Sequence, residues 1–294
     1  MPKVLTKSSK KFTSASKAPL NLVKSPLKWA GGKRKLVVDI AKLLPKNDRG
    51  RLIEPFVGGG SVFLNLPFNE YLLADSNPDL INFFTHIRET PEAFVKASQA
   101  LFVPSNNISK QYYALREEFN KTSKSLRRSA LFLYLNRYGF NGLCRYNSKG
   151  GYNVPFGQYK KPYFPHAEID DFSAKAQTAQ FFSGDFSLAF EQACKGDIVY
   201  CDPPYTPINE TASFTAYSGK GFSWDDQQRL VDCALQAQKM GITTIISNNN
   251  LPQTRAIYAA ANKIVKLSVA RSISCKGNTR KSCAELIALY KGQA

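Results

Sequence analysis

Residues 51–75 read RLIEPFVGGGSVFLNLPFNEYLLAD. Arg51 to Ile53 predicts a short strand that runs into a glycine loop over residues 57–61. A helix follows, and then a second apolar strand over residues 71–74 that ends at Asp75. Strand, glycine loop, helix, strand, acid is the plan of a Rossmann-like βαβ unit. Just upstream, Lys28-Trp29-Ala30-Gly31-Gly32-Lys33 precedes a stripe of Leu36, Val37, Ile40, Leu43 and Leu44 at helical spacing. That spacing predicts a helix over residues 34–44, stopped by Pro45.

Downstream the pattern changes. Helices are expected over residues 77–88, 111–119 and 125–138, with no long buried strand between Asp79 and Ala179. The glycine-rich alternation over residues 141–156 suits a hairpin. Strands then return over residues 180–183, 198–201, 243–246, 263–269 and 285–290. The simplest account is an α/β domain interrupted by a helical insertion.

Composition narrows the partners. Of 294 residues, 43% are hydrophobic, enough for a real core, and no apolar run approaches a membrane span. Forty Lys and Arg against 22 Asp and Glu give +18, which favours a polyanion such as nucleic acid. Residues 1–24 carry six lysines and no acid, the composition of a disordered basic tail, either solvated or a nonspecific DNA-binding arm. The six cysteines lack metal or redox spacing, and the only imidazoles are His86 and His166, so neither zinc nor a histidine-based triad is expected.

The glycine loops fit neither common phosphate motif. Lys33 is followed by Arg34, not Ser or Thr, and Phe63 stands where a dinucleotide fingerprint needs its third glycine. A ligand with a ribose but no phosphate fits better, with Asp75 available for the ribose hydroxyls. The tetrapeptide Asp202-Pro203-Pro204-Tyr205 directly follows an apolar strand. Its prolines stiffen the backbone. A carboxylate and a proline carbonyl can then face the two hydrogens of one planar amine, while the Tyr205 ring stacks on the substrate. Bonding both hydrogens favours a pyramidal nitrogen and frees its lone pair, lowering a barrier by positioned electrostatics. Residues 120–161 hold nine basic side chains, no acid, and interleaved aromatics, a composition suited to phosphates and bases.

In this order, the segments 28–33, 54–61 and 202–205 resemble the DNA adenine methylase (Dam) family, within the alpha group of amino-methyltransferases. The resemblance covers about residues 26–292. It implies a Rossmann-like S-adenosylmethionine-dependent methyltransferase fold with an inserted helical recognition domain bearing a β-hairpin. The expected boundaries are a tail at 1–24, a catalytic domain at 25–75 and 184–294, and a target-recognition domain at 76–183. The implied activity is methyl transfer from S-adenosylmethionine to the adenine amino nitrogen in duplex DNA, within GATC, by base flipping. Asp202, Pro203 and Tyr205 would be catalytic. Trp29, Lys33, Phe56, Gly58, Gly60, Asp75, Asp185, Phe186 and Asp202 would hold the cofactor.

Residues 136–147 are similar to the family's target-recognition hairpin. By that resemblance Arg145 reads a guanine, Leu143 and Pro155 contact a thymine methyl, and Phe140 and Asn141 enter the stack where adenine leaves. Lys28 touches the first guanine, Arg137 faces phosphate at most, and Tyr159 joins base recognition. Segments 271–274 and 278–281 resemble a loop near the active site. Phe140 departs from the usual Tyr, and Gln158 from a common Arg. The implied setting is a monomer without metal or membrane, in the cytoplasm of a bacterium or phage-infected cell. Structured RNA as substrate, or a noncatalytic DNA-binding protein on this fold, remain the alternatives.

Overall fold

The computed structural model describes residues 22–44, 50–205, 221–269 and 283–293. Segments 271–274 and 278–281, and nearly all of the basic tail, lie outside the described residues. Contacts begin before Pro26: Asn65 holds both backbone groups of Val23, accepting its N–H at 2.8 Å and donating to its carbonyl at 3.1 Å.

The seven strands anticipated from the apolar pattern form one sheet: β1 (Arg51–Glu54), β2 (Glu70–Asp75), β3 (Ala179–Ser183), β4 (Ile198–Cys201), β5 (Thr243–Asn249), β6 (Lys263–Val269) and β7 (Cys283–Tyr290). Their order is β3-β2-β1-β4-β5-β7-β6. The first five are mutually parallel and β7 is antiparallel to both its neighbours. Leu52 and Leu73 pack into one core layer, while Ile53, Leu72 and Ala74 pack into the other. Alternate residues thus bury both faces, as a doubly wound sheet requires. Strand order reverses between β1 and β4, which places a crevice at their carboxyl ends.

Helices cover the sheet. The expected helix at 34–44 is instead a 3₁₀ turn, Lys33–Leu36, followed by α1 (Val37–Ala41). Between β1 and β2 lies α2 (Ser61–Asn65). The span between β2 and β3 carries α3 (Pro78–Glu89), α4 (Pro91–Gln99), α5 (Ser109–Lys121), α6 (Leu126–Tyr138) and α7 (His166–Ala176). The Asn77 side chain caps α3 by accepting from the Asp79 and Leu80 N–H groups, a contact worth about 1 kcal/mol. Residues 129–138 of α6 are all buried, because α3, α4 and α5 surround it. The short α8 (Ser187–Glu191), then α9 (Trp224–Lys239) and α10 (Pro252–Ile257), complete the layers.

The stretch over residues 139–156 doubles back without a continuous ladder. It makes two isolated antiparallel bridges, Gly139–Phe156 and Tyr146–Tyr152. A few backbone bonds cross it, such as the Phe140 N–H to the Pro155 carbonyl at 2.8 Å, and side chains supply further partners. Asn120 bonds both backbone groups of Tyr152. Tyr112 and Arg116 both donate to the Val154 carbonyl.

Candidate active site

The carboxyl ends of β1, β2 and β4 open onto a cleft of about 1260 Å³. Asp202 is the first residue after β4. Its Oδ1 lies 2.8 Å from Lys33 Nζ and accepts from Ser247 Oγ at 3.0 Å. Lys33 is only 5% exposed, and a buried ammonium costs several kcal/mol unless paired. Asp202 supplies that partner, and the Gly31 carbonyl accepts a second bond at 2.9 Å. The same ammonium stands 4.7 Å from the centroid of the Tyr205 ring. Burial first, and then the charges of Asp202 and Glu285, push the Tyr205 phenol far above its ordinary value, so it stays neutral.

The glycine loop forms the opposite wall. Gly58 and Gly60 adopt the left-handed region, at φ 48° and 70°. A Cβ on Gly58 would fall 2.7 Å from the Trp29 indole nitrogen, so the bare backbone is what lets Trp29 lie against the loop. Gly58 donates its N–H to Asp75 Oδ2, and Asn77 donates its own to Oδ1, both at 3.0 Å. Burial raises the Asp75 carboxyl to about 6 against the pull of these two bonds. Glu54, at the end of β1, is 2% exposed. Burial drives its carboxyl well upward, with Asp202 adding to the shift and the Phe63 N–H opposing it.

An aromatic wall closes one end. Phe56 and Phe186 stack with centroids 5.4 Å apart, and Phe222 meets Phe56 edge-on at 5.6 Å. Beside them Asp185 accepts from Arg229 at 2.8 Å and from the Ser187 N–H at 3.0 Å. Burial alone would raise the Asp185 carboxyl, but these bonds outweigh it and hold it low.

The segment over residues 136–159, expected to read DNA, is tied to this cleft through Lys28. Asn136, on α6, accepts the Lys28 N–H and donates to the Lys28 carbonyl, both at 2.8 Å, and donates to Gly142 at 3.1 Å. Gly142, at φ 63°, packs directly on the Lys28 side chain, where a Cβ would clash. Lys28 Nζ sits 4.1 Å from the Tyr159 ring centroid, and the Tyr159 hydroxyl accepts the Asn141 N–H at 2.9 Å. Lys28, Asn141 and Tyr159 are thus one patch, with Phe140 45% exposed beside it. Asn153 fixes the Arg145 guanidinium through bonds of 2.7 and 3.3 Å. Pro155 is exposed, and Leu143 is half-buried. Arg137 stands apart. It is 7% exposed, donates to the Pro26 carbonyl and faces the Tyr163 ring. Such a position suits holding the segment before Lys28 better than meeting a phosphate.

The model of the D12 class N6 adenine-specific DNA methyltransferases matches residues 29–273. The chain belongs to that family. It is 49% identical over 266 residues to the DNA adenine methylase of Vibrio cholerae, covering 90% of this chain and 95% of that one. The Escherichia coli DNA adenine methylase is 49% identical over 265 residues, with 90% and 94% covered. The Haemophilus influenzae relative is 47% identical over 266 residues, with 90% and 92% covered. This D12 methyltransferase is therefore an adenine-specific DNA methyltransferase, with DNA as substrate and S-adenosylmethionine as cofactor.

The cleft fits that cofactor. It combines an aromatic wall, an acid at the end of β2, and a bare glycine backbone. Glu54, which lines the cleft, has its Oε1 buried without a hydrogen-bond partner among the described residues, a polar atom that a bound ligand can satisfy. Among the described residues there is no group of three His, Cys, Asp or Glu side chains placed to hold a metal, and no helix long and apolar enough to cross a membrane. The four cysteines described as thiols, Cys144, Cys194, Cys201 and Cys233, are free. Sequence reasoning missed Ser247 as the second partner of Asp202, and assigned no role to Glu54. A signal for Ser247 was present: the apolar run of β5 turns polar at Ser247-Asn248-Asn249, as strand ends at a ligand crevice do.

Proposed function

We propose that this methyltransferase acts on the exocyclic amino nitrogen of an adenine turned out of duplex DNA, within GATC, as a monomer. The observation that carries the reading is Asp202, held in the cleft by Lys33 and Ser247 and followed by two prolines. Both partners sit on Oδ1, and Oδ2 is the oxygen assigned to the amine. The Pro203 carbonyl accepts the second amine hydrogen. Together they favour a pyramidal nitrogen whose lone pair is free to attack. Tyr205, kept neutral, stacks on the flipped base. S-adenosylmethionine, when bound, supplies a methyl already activated by its sulfonium. Asp75 accepts its ribose hydroxyls, while Phe56, Phe186 and Asp185 receive its adenine. Trp29, Lys33, Gly58 and Gly60 shape the methionine end.

Flipping costs a few kcal/mol, and the residues assigned to that work are Phe140 and Asn141. Phe140 is an exposed apolar ring, and Asn141 has φ 54° in the 3₁₀ turn that opens the reversal, which supports a wedge role. Arg145 offers paired donors to a guanine, with Leu143 and Pro155 against a thymine methyl and Lys28 and Tyr159 on the first base pair. The recognition domain in this reading is the span between β2 and β3; the expected boundary at 183 is too long by one strand, since residues 179–183 pair with β2 in the central sheet.

The test is transfer of labelled methyl to two matched duplexes, one with GATC and one with the site scrambled, with Asp202→Ala as control. Transfer by the wild type to the GATC duplex alone is expected. Asp202→Ala should lose at least about 100-fold. Equal transfer to both duplexes removes the GATC assignment, and a fully active Asp202→Ala removes the mechanism.

A further inference from the structure

The Asp202–Tyr205 turn is braced from behind by a set of buried polar groups. Gln227 on α9, Asn248 on β5 and Tyr258 after α10 are each 0% exposed. Tyr258 donates its hydroxyl to Gln227 Oε1 at 2.6 Å. Asn248 Nδ2 donates to Gln227 Oε1 at 3.2 Å and to the Tyr258 oxygen at 2.9 Å. Gln227 Nε2 in turn donates to the Pro204 carbonyl at 3.4 Å.

The direction of every bond in this set is fixed by one backbone group. The Asn249 N–H can only donate, and it donates to Asn248 Oδ1 at 2.8 Å. Asn248 must therefore turn its Nδ2 inward. Gln227 must answer with Oε1, which leaves its Nε2 for Pro204. The Pro204 carbonyl belongs to the peptide that carries Tyr205. Holding it sets the tilt of the Tyr205 ring and the direction of the Pro203 carbonyl one peptide earlier. On β5, Ser247 grips Asp202 and its neighbour Asn248 works on the opposite face of the sheet. The turn is clamped from both faces.

We propose that Gln227, oriented by Asn248 and Tyr258, is a positioning residue for methyl transfer. It aligns Pro203 and Tyr205 so that carboxylate, carbonyl and ring meet the target amine together. The proposal rests on the reading of the reaction given above.

Gln227→Met removes the donor and keeps the volume. Single-turnover transfer should fall about 10- to 100-fold, with equilibrium binding of cofactor and duplex within about threefold of wild type, the pattern of an interaction used in the transition state. Gln227→Glu gives a readout that a packing role would not move. As a neutral acid its O–H donates to the Pro204 carbonyl, whereas as a carboxylate it repels it. Its rate, relative to wild type at each pH, should rise as pH falls from 8 to 6. Should the Met variant fail to melt cooperatively, Tyr258→Phe decides, with an expected loss of about 3- to 10-fold in single-turnover rate at unchanged ligand binding. An unchanged rate in the folded Met variant overturns the proposal, as does a loss wholly accounted for by ligand affinity with no pH-dependent recovery in the Glu variant. A wild-type enzyme that transfers no methyl to adenine sinks the reading of the reaction, and this role with it.

Discussion

Asp75 meets two backbone N–H groups and still titrates near 6, because it stands in surroundings poor in water. Its proposed task is to accept the hydroxyl hydrogens of the cofactor ribose, which the carboxylate does and the neutral acid does poorly. Protonation as pH drops through about 6 therefore weakens cofactor binding. Calorimetric titration with S-adenosylmethionine should show affinity steady from pH 8 to 7 and falling below 6, approaching about tenfold per pH unit. Asp75→Asn should bind weakly and lose that pH dependence; a variant that keeps the wild-type profile assigns the titration to another group. Asp75 and Asp202 were legible in the sequence because each acid ends an apolar strand. Ser247 left only the polar turn at the end of an apolar strand as a signal, and Gln227 and Tyr258 left none. They are ordinary polar residues until β4–β5 pairing, with Cys201 opposite Ile246, sets Ser247 beside Asp202.

At the scale of elements, the residue 139–156 reversal, the proposed recognition surface, is held without a continuous ladder. Beside a few backbone pairs, such as the Asn153 N–H on the Arg145 carbonyl at 3.0 Å, its backbone is satisfied by side chains from α5 and by its own tyrosines, one of which, Tyr152, donates to the Leu143 carbonyl at 2.8 Å. Tyr146 is anchored to Asp79, which also receives Arg128. The side chains assigned to base contacts can thus be exchanged with little effect on the fold. Arg145→Ala should retain its melting temperature within a few degrees while losing about 1–3 kcal/mol of discrimination between GATC and a duplex altered at the contacted guanine. Undiminished discrimination in a binding competition would place guanine readout elsewhere. Alternation over residues 141–156 correctly announced a chain reversal, but the missing ladder was hidden, since the partners that replace it come from α5. The break in the predicted 34–44 helix has a similar origin: Lys33 must bend inward to reach Asp202, and a tighter turn delivers it there.

The whole molecule carries a charge of +18, which sets how it meets DNA before any base is read. Residues 1–21 contribute five lysines and no acid, and the chain enters the described structure beside the cleft, where Asn65 grips Val23 and Lys24 lines the rim. Removing residues 1–21 should leave methyl transfer intact at low salt and lower the salt dependence of duplex binding by roughly 0.9 in log–log slope for each phosphate that is no longer neutralised. Loss of activity at low salt would show that the segment serves the chemistry and not the encounter. The fold class and the cleft were readable as a whole because the central strands β2 and β4 keep apolar runs that end at Asp75 and Asp202. The sheet order was not, because adjacency across the switch point leaves no mark in local sequence.

That order has a consequence for how the enzyme comes into being. The central strand β1 takes one neighbour, β2, almost at once, but Leu52 finds its other partner in Ile198. A ribosome has therefore delivered the cofactor loop and the entire recognition segment while one edge of β1 still waits. The catalytic turn arrives next, and its brace on β5 later still. A nascent chain stalled before residue 247 carries the segment assigned above to DNA and lacks the Ser247 bond to Asp202, the proposed reacting group. Activity is thus acquired in the last portion of synthesis, and the waiting edge makes the half-made chain the form most dependent on protection from wrong pairing.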